Sequence, residues 1–252
     1  MTRTVLVTGG AKRIGAAISR ACAEAGWRVV VHYGTSEKEA QALAAELGGA
    51  TVSGDLEDTR AIDALFERAR VAAGGPIHAL VNSASQFEED RPERVDGRLA
   101  ARLYAVNCTA PTLLAGALAG QCELSAGAIV NLLDQKLGNP NPDFFSYSLS
   151  KYALRGATEM MAMAFAPRIR VNAVAPGLTL PSGDQSAAEF DRVARENLLN
   201  RPVGADQVAA GVLYLLDAVS VTGQTLYVDS GQRFLKRQGD VMFEGKERMG
   251  GE

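Results

Sequence analysis

The chain predicts an α/β fold built on a doubly wound, parallel sheet of about seven strands. Three observations carry that expectation. Short β-branched runs alternate with amphipathic helical patterns along the length of the sequence. A glycine-rich turn follows the first run and opens the first helix. Small and polar residues gather just after the runs, at the carboxyl ends of strands, where open parallel sheets bind ligands.

Residues 3–8 form the first run, and Gly9-Gly10-Ala11-Lys12-Arg13-Ile14-Gly15 follows. Ile14, Ala17, Ile18, Ala21, Cys22 and Ala25 then recur at helical spacing until Gly26 stops the pattern. Glycines let main chain approach a pyrophosphate, and a helix N-terminus adds free N–H groups and a positive dipole end. The strand, turn and helix together predict a dinucleotide site of the Rossmann type, although such a turn can also bind nothing. Arg13 stands where a glycine often sits.

Residues 27–33 are the second strand. An acid usually follows it where the ribose hydroxyls of NADH are held. Here His32, Tyr33, Thr35 and Ser36 precede the first acid, Glu37. An imidazole and hydroxyls without a carboxylate suit a 2′-phosphate, so NADPH is the expected cofactor. Thr35 or Ser36 can equally cap the helix over 37–47. Residues 50–54 are the third strand, and Asp55-Leu56 leads to a helix over 59–73. Asp55 is placed to bond an adenine amino group or to cap that helix.

The fourth strand, 76–81, runs into Asn82-Ser83-Ala84-Ser85-Gln86-Phe87. Phe87 either packs beneath its loop or stacks on a planar substrate. The acids at 88–90 are expected at the solvated surface. A helical pattern through Leu99, Leu103, Val106, Leu113 and Leu118 is interrupted by Asn107 and Pro111, and a proline inside a helix costs about 3 kcal/mol. Asn107 beside that break is a candidate for orienting water or main chain near a reaction centre.

The fifth strand, 128–133, ends at Asp134. A helix opens at Ser146, and Tyr147 and Lys151, four apart, share one of its faces. A phenol beside an ammonium is a proton donor with a stabilised conjugate base. Alone the pair is common; its meaning depends on the site around it. A sixth strand, 168–174, closes on Ala175-Pro176-Gly177. Residues 178–199 are expected to form a mobile loop with a helix over 187–199, placed to close over substrate. A helix over 208–216 and a last strand over 222–229 complete one domain, 1–232. A polar tail, 233–252, follows, with Phe234, Leu235 and Phe243 as its anchors.

The 252 residues suffice for one large core, with 47% hydrophobic and 22% charged residues. A net charge of −3 offers no attraction for nucleic acid or an acidic membrane. Cys22, Cys108 and Cys122 lack disulfide or metal spacing, and the N-terminus enters a strand without an apolar leader. A cytoplasmic protein, bound to neither nucleic acid nor membrane, is expected. With His32 and His78 the only histidines, a metal site or Ser-His-Asp hydrolase is disfavoured.

From about Thr4 to Gln232 the residues resemble the short-chain dehydrogenase/reductase family. The carriers are Thr8-Gly9…Gly15, Asp55-Leu56, Asn82-x-Ala84, Asn107, Tyr147-x-x-x-Lys151, Pro176-Gly177 and Val221-Thr222-Gly223-Gln224. The resemblance implies that Tyr147 is the acid/base, that Lys151 lowers its pKa and holds the nicotinamide ribose, and that Asn107 positions a water relay. The family's serine, thirteen residues before the tyrosine, is Asp134 here. Arg13, Asp134 and Phe87, with His32-Tyr33 and Ser36, are similar to the pteridine reductases, which use NADPH. Ser83 in place of a second asparagine, and Thr35 where some relatives carry an arginine, depart from the pattern.

The resemblance thus implies a cofactor set of Arg13, Ile14, His32, Tyr33, Thr35, Ser36, Asp55, Leu56, Asn82, Ser83, Ala84, Lys151, Pro176 and Gly177. It implies a substrate set of Arg13, Ser85, Phe87, Asp134, Tyr147 and Leu178, a pterin or folate-like substrate, and a homotetramer. A carbonyl substrate would develop an oxyanion, which a serine hydroxyl stabilises and a carboxylate opposes. Reduction of a pterin C=N bond instead needs a proton at ring nitrogen, which a carboxyl can deliver. The alternatives are a carbonyl reductase acting on a ketone, quinone or oxoacyl thioester, and a cofactor-binding regulator with little catalysis.

Overall fold

A computed structural model describes residues 2–181, 187–236 and 239–240. Seven parallel strands form one sheet in the order β3-β2-β1-β4-β5-β6-β7. They are β1 (Thr4–Thr8), β2 (Arg28–Tyr33), β3 (Ala50–Ser53), β4 (Ala79–Asn82), β5 (Gly127–Leu132), β6 (Ile169–Pro176) and β7 (Thr225–Val228). The central strands are apolar on both faces because helices cover both. Val5, Val7 and Val130 face a layer of α1 (Arg13–Glu24), α2 (Glu37–Leu47) and α8 (Ala205–Asp217). Leu6, Leu80 and Ile129 face α3 (Ile62–Ala73), α5 (Ala110–Gly120) and α6 (Phe145–Phe165). The strand order reverses between β1 and β4, which opens a crevice at their carboxyl ends.

Strand ends differ from expectation where a side chain supplies the hydrogen bonds. β4 begins at Ala79 rather than at 76, because the Gln121 amide satisfies both main-chain groups of Ile77, at 2.9 Å each. β6 runs through Pro176, which pairs with Val228 after β5 has ended its register at Leu132 opposite Val174. No ladder N–H is demanded of the proline there.

The interrupted helix resolves into α4 (Gly97–Tyr104), a wide turn of π geometry (Ala105–Thr109) and α5. Pro111 lacks the N–H that would close an α-helical bond to Asn107, and the ladder widens there. By length and composition Gly97–Gly120 could cross a membrane, yet half of that stretch is packed inside the domain. In the segment after β6, residues 182–186 lie outside the described residues, and with them part of the expected mobile loop. Helix α7 (Ala187–Ala194) stops short of residue 199 because Asn197 turns its amide onto the Ala194 carbonyl at 2.7 Å.

The start of the tail returns to the domain. Asn139 Nδ2 donates to the Leu235 carbonyl at 2.6 Å, and Gly239 and Asp240 reach the crevice. Phe234 anchors little, being 63% exposed, and Phe243 lies outside the described residues.

Candidate active site

The crevice is a cavity of about 470 Å³. At one end its wall is main chain. Gly9 adopts φ +59°, and a Cβ on it would come within 3.0 Å of Ala84 Cα. A Cβ on Gly15 would lie 2.1 Å from the Gly9 carbonyl oxygen, so helix and turn pack too closely for any side chain. Helix α1 begins without a side-chain cap and without an acid in its first turn. Its leading N–H groups are therefore free for an anion. Arg13 takes the left-handed φ of +54° that a glycine would take without strain, at a cost of about 1–2 kcal/mol. Its guanidinium reaches across the crevice to the Pro181 carbonyl at 2.8 Å. Ile14, Ser83, Ala84, Pro176 and Gly177 complete this end. The Thr8 hydroxyl accepts the N–H groups of Ser83 and Ala84 at 3.0 and 3.1 Å and holds the β4 loop against β1. An uncapped helix start behind a cradle that excludes side chains fits a dinucleotide pyrophosphate.

Four residues of the expected cofactor set have other work. His32 is buried, accepts the Gly9 N–H at Nδ1 (3.2 Å) and donates from Nε2 to the Gly54 carbonyl (3.1 Å). Burial lowers its pKa to about 4, so it is a neutral brace behind the glycine turn and not a phosphate ligand. Asn82 turns inward, donating to Asn131 Oδ1 at 2.8 Å, and Asn131 in turn donates to the Thr158 hydroxyl at 2.9 Å. The Leu56 side chain belongs to the core beside Leu65. Asp55 is exposed outside the cavity wall and accepts the Glu57 N–H at 2.9 Å; Asp58, not Asp55, caps the turn before α3 through the Arg60 N–H.

Tyr33, Thr35 and Ser36 stand at the carboxyl end of β2, outside the cavity wall. Ser36 occupies the N-cap position of α2 without capping it, which leaves its hydroxyl available to a ligand. Lys12, which no motif singles out, lines this end and pairs with Glu39 at 2.7 Å.

The other end is made of side chains. Asp134, two residues past the end of β5, accepts the Lys136 N–H at Oδ1 (2.8 Å) and the Tyr147 hydroxyl at Oδ2 (2.8 Å). Lys151 Nζ, one helical turn beyond Tyr147, donates to the Leu132 carbonyl at 2.8 Å and lies 5.7 Å from the Tyr147 ring centroid. Desolvation pushes the Asp134 carboxyl above its usual range. Burial, followed by the Asp134 charge, drives the Tyr147 phenol well above its usual range. Burial lowers Lys151 to about 8. Lys151 alone would favour tyrosinate, but the Asp134 anion expected beside Tyr147 opposes it, and burial adds to that opposition, so the phenol stays protonated.

Phe87 stacks on Phe144, centroids 4.1 Å apart, and meets Tyr147 edge-on at 4.7 Å. Phe87 thus packs on its neighbours and also lines the cavity. Phe144 was not singled out from the sequence. It sits at φ +56° just before α6, a left-handed conformation without a glycine to signal it. Asp90 holds it there: its carbonyl takes the Phe145 N–H at 3.1 Å and its carboxylate takes the Ser146 N–H at 2.8 Å. Asp90 is therefore a buried cap and not solvated surface.

Asn107 does not line the cavity. Its amide binds Gln86 through both main-chain groups, at 2.8 and 2.9 Å, accepts the Ser85 hydroxyl at 3.1 Å and donates to Ser150 Oγ at 3.0 Å. It clips the Phe87 loop to the Tyr147 helix, which is a positioning role. Leu178 and Ser85 both line the cavity, with the Leu178 N–H held by Gln232 Oε1 at 3.0 Å.

A family model described as enoyl-(acyl carrier protein) reductase matches residues 9–233. The chain is similar to 3beta-hydroxysteroid dehydrogenase 1 of Eggerthella lenta, 34% identical over 250 residues that span 91% of this chain and 93% of that protein. It is similar to pteridine reductase 1 of Leishmania tarentolae, 30% identical over 273 residues, spanning 90% and 94%. Among solved structures it is similar to FolM alternative dihydrofolate reductase 1 from Brucella suis in complex with NADP. That match has a TM-score of 0.89 and 39% identity, and covers 93% of this chain and 96% of the other.

Proposed function

We propose that this chain, which belongs to the short-chain dehydrogenase/reductase family, is an NADPH-dependent reductase of a C=N bond in a pterin or folate-like substrate. The observation that carries the reading is the 2.8 Å bond between the Tyr147 hydroxyl and the Asp134 carboxylate, beside the Phe87–Phe144 wall. The similarity to a pteridine reductase and to an NADP-bound dihydrofolate reductase supports both substrate class and cofactor.

NADPH, when bound, supplies the hydride. The α1 N-terminus and the Gly9–Gly15 turn would hold its pyrophosphate, Tyr33, Thr35 and Ser36 its 2′-phosphate, and Lys151 its nicotinamide ribose. Phe87 stacks on the planar substrate and Arg13 closes over it. Tyr147 and Asp134 form one proton-donating pair. The raised phenol and raised carboxyl keep a proton at the Oη–Oδ2 contact near neutral pH, ready for a ring nitrogen. A developing oxyanion would face Asp134 unfavourably, which disfavours carbonyl reduction. The likeness to the steroid dehydrogenase is the observation behind that second reading.

NADPH oxidation measured with dihydrobiopterin, dihydrofolate and a keto ester tests the proposal. Turnover of the pterins is expected; turnover of the keto ester alone would establish the carbonyl reading instead. Asp134→Ser should cut pterin reduction on the order of 100-fold and carbonyl reduction far less. An unchanged pterin rate would remove the role given to the carboxyl.

We further propose a homotetramer in the cytoplasm. Leu149, Tyr152, Met160 and Met163 recur along the exposed face of α6, and an exposed apolar stripe of this kind suits a second copy of the chain. Three free cysteines suit a reducing compartment. Analytical ultracentrifugation yielding a monomer would refute the assembly.

A further inference from the structure

At the substrate end, the short turn after Asp134 carries Lys136, whose side chain is 5% exposed. Its ammonium donates to Asn141 Oδ1 at 2.9 Å and to Asp240 Oδ2 at 2.8 Å, and lies 5.3 Å from the Phe144 ring centroid. Among the described residues, Asp240 is the only carboxylate within ion-pair distance of it. Asp240 arrives from 104 positions along the chain. Its N–H donates at 2.7 Å to Asp143, a fully buried carboxylate that also accepts Arg91 Nη2 at 2.6 Å. Lys136 and Asp240 both line the cavity, and the proton transfers described above use neither.

We propose that the Lys136–Asp240 pair sets the charge preference for the far end of the substrate, an inference that rests on the pterin or folate reading above. With the pair closed the pocket takes a dihydropterin bearing a neutral side chain. A carboxylate-bearing dihydrofolate must displace Asp240 to reach the ammonium. A carboxylate brought against a neutralised ammonium loses its water and gains little attraction; against a bare ammonium it gains a charge-assisted hydrogen bond. Replacing Asp240 by a neutral residue therefore bares the cation and turns the preference towards the acid.

The test compares 7,8-dihydrofolate with its dimethyl ester, which share a skeleton and differ in charge. Dissociation constants are measured by calorimetry on the full chain loaded with NADP, and NADPH-linked turnover is measured alongside. In the unaltered protein the diester should bind more tightly than the acid. In Asp240→Asn the acid should gain about tenfold relative to the diester, the scale of one charge-assisted hydrogen bond. The double variant Asp240→Asn/Lys136→Gln should lose that gain. Asp240→Ser provides an independent replacement, and thermal melting checks that each variant is folded.

An unmoved ratio in both Asp240 variants, or an equal gain in the double variant, overturns the proposal. If both compounds bind but neither is turned over, the reductase reading fails while the binding ratio still decides the charge preference. Turnover with an unmoved ratio sinks the charge preference alone. Absence of binding by either compound overturns both.

Discussion

The nucleotide end of the pocket is built from main chain, while the substrate end is built from side chains drawn from distant segments. Gly9 to Gly15 run without a break from the turn into the start of α1, and their function depends on the absence of atoms: a Cβ at Gly15 would lie 2.1 Å from the Gly9 carbonyl. At the other end Phe87, Asp134, Lys136, Phe144, Tyr147 and Asp240 converge from the β4 loop, the β5 end, α6 and the returning tail. Main chain recognises what every dinucleotide shares, its phosphates. Side chains that meet only after folding recognise what distinguishes one substrate from another.

The sharpest way to separate the two ends is Tyr147→Phe. It removes the donor proton and leaves the glycine cradle intact, so kcat should fall about 1,000-fold with the NADPH dissociation constant unchanged within about twofold. Single-turnover kinetics would show it, and retained turnover would rule out the phenol as donor.

Gly15→Ala is the converse experiment. The turn must open to admit the methyl group, and NADPH affinity measured by fluorescence titration should weaken about tenfold or more. Unchanged affinity would mean that the cradle does not hold the cofactor.

Lys151 joins the two ends, and its effect depends on pH. Burial lowers it from 10.5 to about 8, so it is an ammonium below that value and neutral above it. NADPH affinity should therefore fall as pH rises through about 8, by up to about tenfold per unit. The Asp134 carboxylate raises the lysine's pKa, so Asp134→Asn should move the fall to lower pH. A shift in the opposite direction would contradict the coupling.

The smallest effect is expected for Phe87→Leu. Losing one stacked ring should raise the KM for dihydrobiopterin roughly three- to tenfold, with NADPH binding unaltered. If NADPH binding weakens as much as pterin binding, the division between the ends is wrong at this residue.

Much of this is legible in the sequence. The strand-helix alternation settles the parallel sheet, since a strand buried on both faces must be apolar throughout and needs a helical crossover to its neighbour. Tyr147 and Lys151 share a face by helical period alone, and Asp134 follows from the end of an apolar run. At His32, Asn82 and Leu56, each expected in the cofactor set, folding turns the side chain inward. A strand end shows which residues stand near a ligand, but the direction of each side chain depends on the neighbouring strand and helix.

Sequence alone therefore determined the sheet, the glycine turn and the spacing of Tyr147 and Lys151, because each depends on neighbours within a few residues. Tertiary structure alone decided that Phe144 backs Phe87, that Asp90 caps the catalytic helix, and that Asp240 meets Lys136 from 104 positions away. It also decided the protonation of the site. Burial, which no spacing encodes, is the largest cause that raises Tyr147 and Asp134 and lowers Lys151 to about 8.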